Sequence, residues 1–135
     1  MAKLKLAIIT PEKVVVDKEV SEVQLPTPQG EIGILLGHIP LISRLAVTGV
    51  VRYREDAGNG LVVVGNGFAE VSGEKITILA GVAESPKEIN LEETRRDIEA
   101  AERALKAANQ QGDVREALEK LERARIRTQI AQQAK

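Results

Sequence analysis

Few side chains in this sequence are equipped for covalent chemistry, and they are scattered. His38 is the only histidine among 135 residues, there is no cysteine, and Ser43 and Ser72 stand beside ordinary strand-like runs. A hydrolytic site needs a nucleophile within reach of a base that a third group orients, and neither serine has that context. Thiolate metal sites and disulfides are excluded, and one imidazole cannot build a multi-histidine centre, so neither metal nor cofactor is expected. Gly65-Asn66-Gly67 resembles a fragment of a phosphate loop, but it precedes a strand rather than a helix and reads as a connector. Recognition chemistry remains. Glu31 and His38 lie within the run Gly30 to Leu41 (G-E-I-G-I-L-L-G-H-I-P-L), and Lys120, Arg123 and Arg127 form one stripe by i, i+3, i+4 spacing, with Arg115 and Arg125 elsewhere.

Those residues need elements to hold them. The glycines and Pro40 of the Gly30 to Leu41 run imply two sharp turns, since glycine reaches positive φ freely and proline fixes φ while removing a donor. Ile32, Ile34 and Leu36 alternate with Gly33 and Leu35, which predicts a short strand between the turns, with His38 on the second turn. From Leu4 to about Ala83 the chain is a series of such runs. Strands are predicted at 4–9, 14–20, 23–25, 31–35, 41–45, 50–54, 61–64, 68–71 and 76–79. Hairpin loops are predicted at Glu55 to Gly60 and at Val71-Ser72-Gly73-Glu74-Lys75. This spacing argues for a sandwich or barrel rather than βαβ units.

Composition narrows the function classes. With 19 basic and 20 acidic residues the net charge is -1, so no global field draws the chain to nucleic acid or to an anionic membrane. One phenylalanine, one tyrosine and no tryptophan leave the core to Val, Ile, Leu and Ala and provide no platform for stacking bases. The N-terminal apolar run before Pro11 is too short for a signal peptide or a membrane span.

After Ser85-Pro86 the composition changes to Ala, Glu, Arg and Gln, all good helix formers apart from any role in a core. This predicts segregated α+β architecture, with an all-β domain over 1–86 and a helical domain over 87–135. Asn90, followed by Glu93, reads as an N-cap that starts a helix at Leu91. Leu91, Ile98 and Leu105, interleaved with Thr94, Ala101 and Ala108, give it a narrow apolar seam. Asn109 to Gly112 is expected to end it, and Asp113 with Glu116 to cap a second helix whose seam runs through Val114, Leu118 and Leu121, flanked by Ala117 and Ala124. Two helices of about four to five turns would form an antiparallel hairpin. So thin a seam buries little area, which suggests a mobile appendage. Ile126 and Ile130 fall nearly opposite Leu121 at 100° per residue, so they belong either to a frayed end or to a contact with another subunit. The basic residues from Arg123 to Lys135 suit a helix C-terminus by the macrodipole alone, or an acidic partner surface.

Taken together, T-P-E-K at Thr10 to Lys13, L-P-T-P-Q-G-E-I-G-I-L-L-G-H-I-P-L at Leu25 to Leu41, G-V-V-R at Gly49 to Arg52, N-G-F-A-E-V at Asn66 to Val71 and I-T-I-L-A at Ile76 to Ala80 resemble the epsilon subunits of F-type ATP synthases. The resemblance covers the whole chain. It implies a β-sandwich of about ten strands that binds the foot of the central gamma shaft and rests on the ring of c subunits. It also implies a helical hairpin that lies against the sandwich or extends along the shaft toward the alpha/beta catalytic head. Such a subunit has no active site. It joins a rotor that couples ion-driven rotation to ATP synthesis, and its tail restrains hydrolysis.

Carried onto this sequence, the resemblance puts Glu31 and His38 at the c-ring loops. It puts Lys120, Arg123, Arg127, Ile126 and Ile130 against the gamma or beta subunits in the extended state. Some family members bind ATP through the pattern I/L-D-x-x-R-A. Here Ile89, Asn90 and Glu93 occupy its first, second and fifth positions, so Asp is Asn and Arg is Glu. A glutamate facing phosphate repels it, so ATP binding, with Glu84 and Asn90 as the candidate residues, is expected to be weak or absent. The implied location is peripheral, on the cytoplasmic face of a bacterial inner membrane, which the chain meets only through the complex. A free-standing β-sandwich binding module with a helical tail is the competing reading.

Overall fold

The structure is a computed structural model that describes residues 3–133. It contains eight strands, β1 (Leu4–Ile9), β2 (Val14–Val20), β3 (Glu22–Thr27), β4 (Gly30–Leu35), β5 (Leu41–Arg44), β6 (Gly49–Glu55), β7 (Gly58–Ser72) and β8 (Lys75–Glu84). A 3-10 turn at Pro86–Glu88 leads to helices α1 (Leu91–Ala107) and α2 (Gln111–Gln133). The chain divides into two compact units between Ser85 and Pro86.

The strands run in the order β2-β1-β8-β7-β6-β3-β4, with β5 also on β7. All pairs are antiparallel except β1 with β8. The long strand β7 pairs β6 through Gly58–Val64 and β5 through Phe68–Val71, while β8 pairs β1 through Lys75–Leu79. These two strands therefore pass from one layer of a sandwich to the other. About ten strands were expected where there are eight, because β7 and β8 each serve both layers. One aliphatic core lies between the layers, built from Leu4, Leu6 and Ile8 of β1, Val23 and Leu25 of β3, Ile34, Val51, Val62 and Val64, and Ile76 and Ile78 of β8.

The crossing point is the segment that had read as a connector. Gly65-Asn66-Gly67 is not a loop but a bend inside β7, with Asn66 at φ 55°. Before the bend Val62 and Val64 face the core; after it Ala69 and Val71 do. On β8 the inward residues change phase at the same level, from Ile76, Ile78 and Ala80 to Ala83, across Gly81. The alternation of a strand has a period of 2, so both strands must twist together to keep apolar side chains inside. The glycines make room for this. A Cβ on Gly65 would lie 2.5 Å from the Val47 carbonyl oxygen, and one on Gly67 would overlap the Leu79 carbonyl and come within 2.9 Å of the Ala80 Cα.

The two-residue turns are tighter than the sequence suggested. Glu55 pairs with Gly58, at φ 136°, so the first hairpin loop is only Asp56-Ala57. Lys3 donates to the Asp56 carboxylate, which is held below its usual range by that bond and by the charge of Lys3. Strand β4 ends at Leu35, leaving Leu36 exposed beyond it.

In the second unit α1 and α2 pack on one another, and α2 also meets the 3-10 turn. Asn90 caps α1 by accepting the Glu93 N–H at 3.1 Å. Helix α2 begins at Gln111, so Asp113 lies in its first turn rather than capping it, and the 23 residues of α2 exceed the expected length. Arg127 meets Asp97, which puts the second half of α2 beside the first half of α1 and makes the hairpin antiparallel. Its seam is smaller than the sequence implied: Thr94, Ala101, Ala117, Leu121 and Ala124 are buried, whereas Leu91, Ile98 and Leu105 are half-buried and Leu118 is exposed. Alanines allow the two backbones to approach, and the larger side chains are displaced to the flanks. Ile130, placed off the seam by helical periodicity, is nonetheless buried, and Ile126 is half-buried.

Candidate functional site

Glu31 and His38 are set by the two ends of β4. At the first end, the Thr27 hydroxyl donates to the Gly30 carbonyl at 2.6 Å and accepts the Gln29 N–H at 3.2 Å. Gly30 takes φ 125°, and Glu31 emerges exposed, opposite Pro26 of β3. At the other end, the His38 N–H donates to the Leu35 carbonyl at 3.1 Å through a turn that Gly37 makes at φ 90°. The half-buried imidazole places Nδ1 2.8 Å from the Ile39 carbonyl oxygen. A carbonyl only accepts, so Nδ1 carries a proton and Nε2 is the nitrogen left for a partner. At about 3.3 Å per residue, the four strand steps from Glu31 to Leu35 alone put roughly 13 Å between Glu31 and the turn that carries His38. The structure does not bring them together.

Across the outer face of β5, β7, β8, β1 and β2 lies a surface that the sequence reading missed. Arg44 pairs with Phe68, Phe68 with Leu79, Leu79 with Ile9, and Ile9 with Val14, all on the face directed away from the core. Phe68 and Leu79 are each 54% exposed and Val14 58%, with Ile42 at 71% near one end of the row and Ile39 at 73% in the loop that follows β4. An apolar band crossing a whole sheet is the mark of a partner surface. A signal was available: Phe68 shares its phase with Glu70, Ile42 with Arg44, and Leu79 with Thr77 and Lys75, so apolar residues occupy positions that the pattern assigns to water.

The basic stripe on α2 is divided by its neighbours. Lys120 pairs with Glu116 one turn away at 3.1 Å. Arg123 is half-buried beside a groove of about 380 Å³ between the helices, lined also by Asp97, Ala100, Ala104 and Lys120. Arg127 is only 9% exposed, with its guanidinium 3.3 Å from Asp97 and 3.8 Å from Glu93. Of the candidate nucleotide residues, Asn90 has its side-chain oxygen engaged as the helix cap and Glu84 is half-buried at the end of β8. Among the described residues no cluster of three or more His, Cys, Asp or Glu side chains is placed to hold a metal, and no helix is long and apolar enough to cross a membrane.

Residues 3–86 match the family described as "ATP synthase, Delta/Epsilon chain, beta-sandwich domain". The chain is 39% identical over 132 residues to the ATP synthase epsilon chain of Halalkalibacterium halodurans, covering 97% of this chain and 98% of the relative. It is 38% identical over 128 residues to the chloroplastic epsilon chain of Pyropia yezoensis, covering 95% of each. Its fold is similar to a chain in the Euglena gracilis mitochondrial ATP synthase OSCP/F1/c-ring structure, with a TM-score of 0.79 and 23% identity over 93% of this chain and 81% of that one. The sandwich with its long shared strands, the capped helical hairpin and full-length identity of this order lead to one conclusion: the chain belongs to the ATP synthase epsilon family, a non-catalytic subunit of that complex.

Proposed function

We propose that this chain is a rotor component of an F-type ATP synthase, transmitting ion-driven rotation of the c ring to the catalytic head, with a hairpin that moves to restrain ATP hydrolysis. The observation that carries this reading is the apolar band Val14, Ile9, Leu79, Phe68 and Ile42 on a family member with no machinery for covalent chemistry. A subunit that transmits torque must be clamped to the shaft, and a dry apolar contact on a stiff sheet does this without side-chain rearrangement. The band is the docking face for gamma. Glu31, at the opposite end of β4 from His38, meets the polar loops of the c ring, where one exposed carboxylate adds specificity rather than affinity. His38, on the turn beyond the other end of β4, is the second residue directed to the c-ring loops and offers its Nε2 to their polar groups.

The hairpin supplies regulation. Its alanine seam buries little apolar area, so opening costs little, and an opened α2 presents Lys120, Arg123, Arg127, Ile126 and Ile130 to gamma and to an acidic segment of the beta subunit. Nucleotide does not hold it shut, since Asn90 is engaged as a cap and Glu93 repels phosphate. The membrane is met only through the complex, which makes the chain peripheral.

The test is calorimetric titration of the full chain into its cognate gamma subunit. A saturable one-to-one complex is expected. Absence of binding by both calorimetry and size exclusion would overturn the reading in favour of a free-standing binding module.

A further inference from the structure

We infer that Arg127, Glu93 and Asp97 form an ionic latch that holds the hairpin closed without a ligand, making the open-to-closed balance sensitive to ionic strength. Glu93 and Asp97 are one turn apart on α1, so their carboxylates lie on the same stripe. The guanidinium of Arg127 spans them, with Nη1 3.3 Å from Asp97 Oδ2 and Nη2 3.8 Å from Glu93 Oε1. Two different guanidinium nitrogens are engaged, which a planar fork can do and an ammonium cannot. Among the described residues, the ion pairs between the two helices all run through Arg127.

The burial is asymmetric, and this gives the latch its sensitivity. The Arg127 side chain is 11% exposed, while those of Glu93 and Asp97 are 55% and 49% exposed. The cation is withdrawn from water and the carboxylates are not. Opening the hairpin rehydrates arginine and leaves the acids where salt already reaches them, so added salt weakens the closed form through the exposed partners. The alanine seam contributes shape but little area, so a charge-assisted contact at this level is a large share of what opposes opening. Glu93, whose backbone N–H the Asn90 cap uses, turns its carboxylate to Arg127, so the capping residue pair and the latch share one residue.

The inference rests on the proposed mobility of the hairpin, and the experiment separates the two. The chain lacks cysteine, so Arg96→Cys and Gln129→Cys, both at exposed positions outside the latch, accept spin labels specifically. Pulsed electron-spin distances between them are measured on the full chain at about 0.01 M and about 1 M salt, where the screening length falls from about 30 Å to about 3 Å. The parent should gain a longer-distance population at high salt. Arg127→Gln should raise the open-to-closed ratio about tenfold at low salt and abolish the salt response. Arg127→Lys should fall between, and the triple exchange Glu93→Lys, Asp97→Lys, Arg127→Glu should restore both the closed distance and its salt dependence. Circular dichroism of each variant confirms that both helices are retained. A parent that opens with salt while Arg127→Gln follows it unchanged overturns the latch and leaves mobility standing. A parent that keeps one short distance under both conditions overturns both.

Discussion

Replacing Phe68 by Ser tests the docking face most directly, because the same change weighs heavily on association and little on folding. Phe68 is 54% exposed on the outer side of β7, paired with Leu79 and Arg44. Of the roughly 200 Å² a phenylalanine can bury, about 100 Å² is therefore still in water, available to a partner. At about 25 cal/mol per Å² its removal forfeits about 2.5 kcal/mol at a dry contact. Truncation at the centre of an interface also lies in the range of about 2 kcal/mol and above. Affinity for gamma should fall about thirtyfold to a hundredfold, read by calorimetry, mostly through faster dissociation. The isolated chain should lose far less stability than a core truncation would, because the exposed half of the ring contributes nothing to its fold; a melting curve measures this. Unchanged gamma affinity with Phe68→Ser, and again with Leu79→Ser, would refute the assignment of this face. An affinity loss matched by an equal drop in melting temperature would show that the band is structural.

Other consequences follow from the same geometry. Gly67→Ala drives a Cβ into the Leu79 carbonyl where β7 and β8 cross between layers, and should cost about 3 kcal/mol, measured as a lowered midpoint in chemical denaturation of the β unit. Asn90→Ala removes the acceptor for the Glu93 N–H and should cost about 1 kcal/mol, read as earlier loss of helical dichroism with the sheet signal unaffected. ATP at millimolar concentration should leave the melting temperature and helical dichroism unchanged; a rise in either would contradict the argument from Asn90 and Glu93. Asp56→Asn removes a carboxylate held low by Lys3. Since a depressed carboxylate stabilises above its unfolded pKa and loses that contribution as pH falls through its folded value, the parent and variant should converge in acid and differ, slightly, at neutral pH.

Much of this protein was decided locally and is legible in the residues themselves. Period-two runs of Val, Ile and Leu specify strands, and the shift to Ala, Glu, Arg and Gln after Pro86 specifies helices, because side-chain shape and backbone freedom act within a few residues. The Asn90 cap and the turn at Gly30 were readable for the same reason. Other features depend on which distant residues meet. Gly65-Asn66-Gly67 carries turn chemistry, yet β8 pairs with both glycines and carries β7 through as one continuous strand between its β6 and β5 pairings, and only the two-layer packing requires a bend there. Ile130 lies off the hairpin seam by periodicity and is buried all the same, since periodicity describes one helix and not what covers it. Arg127 and Asp97 are 30 residues apart, and their meeting follows from the register of two helices set by alanines along both. The sequence by itself determined the strands, the helices and the cap; the tertiary structure alone decided which outward apolar side chains line up across β5, β7, β8, β1 and β2 into one band, and hence where a partner can dock, because strand order and register are properties of the assembled layers.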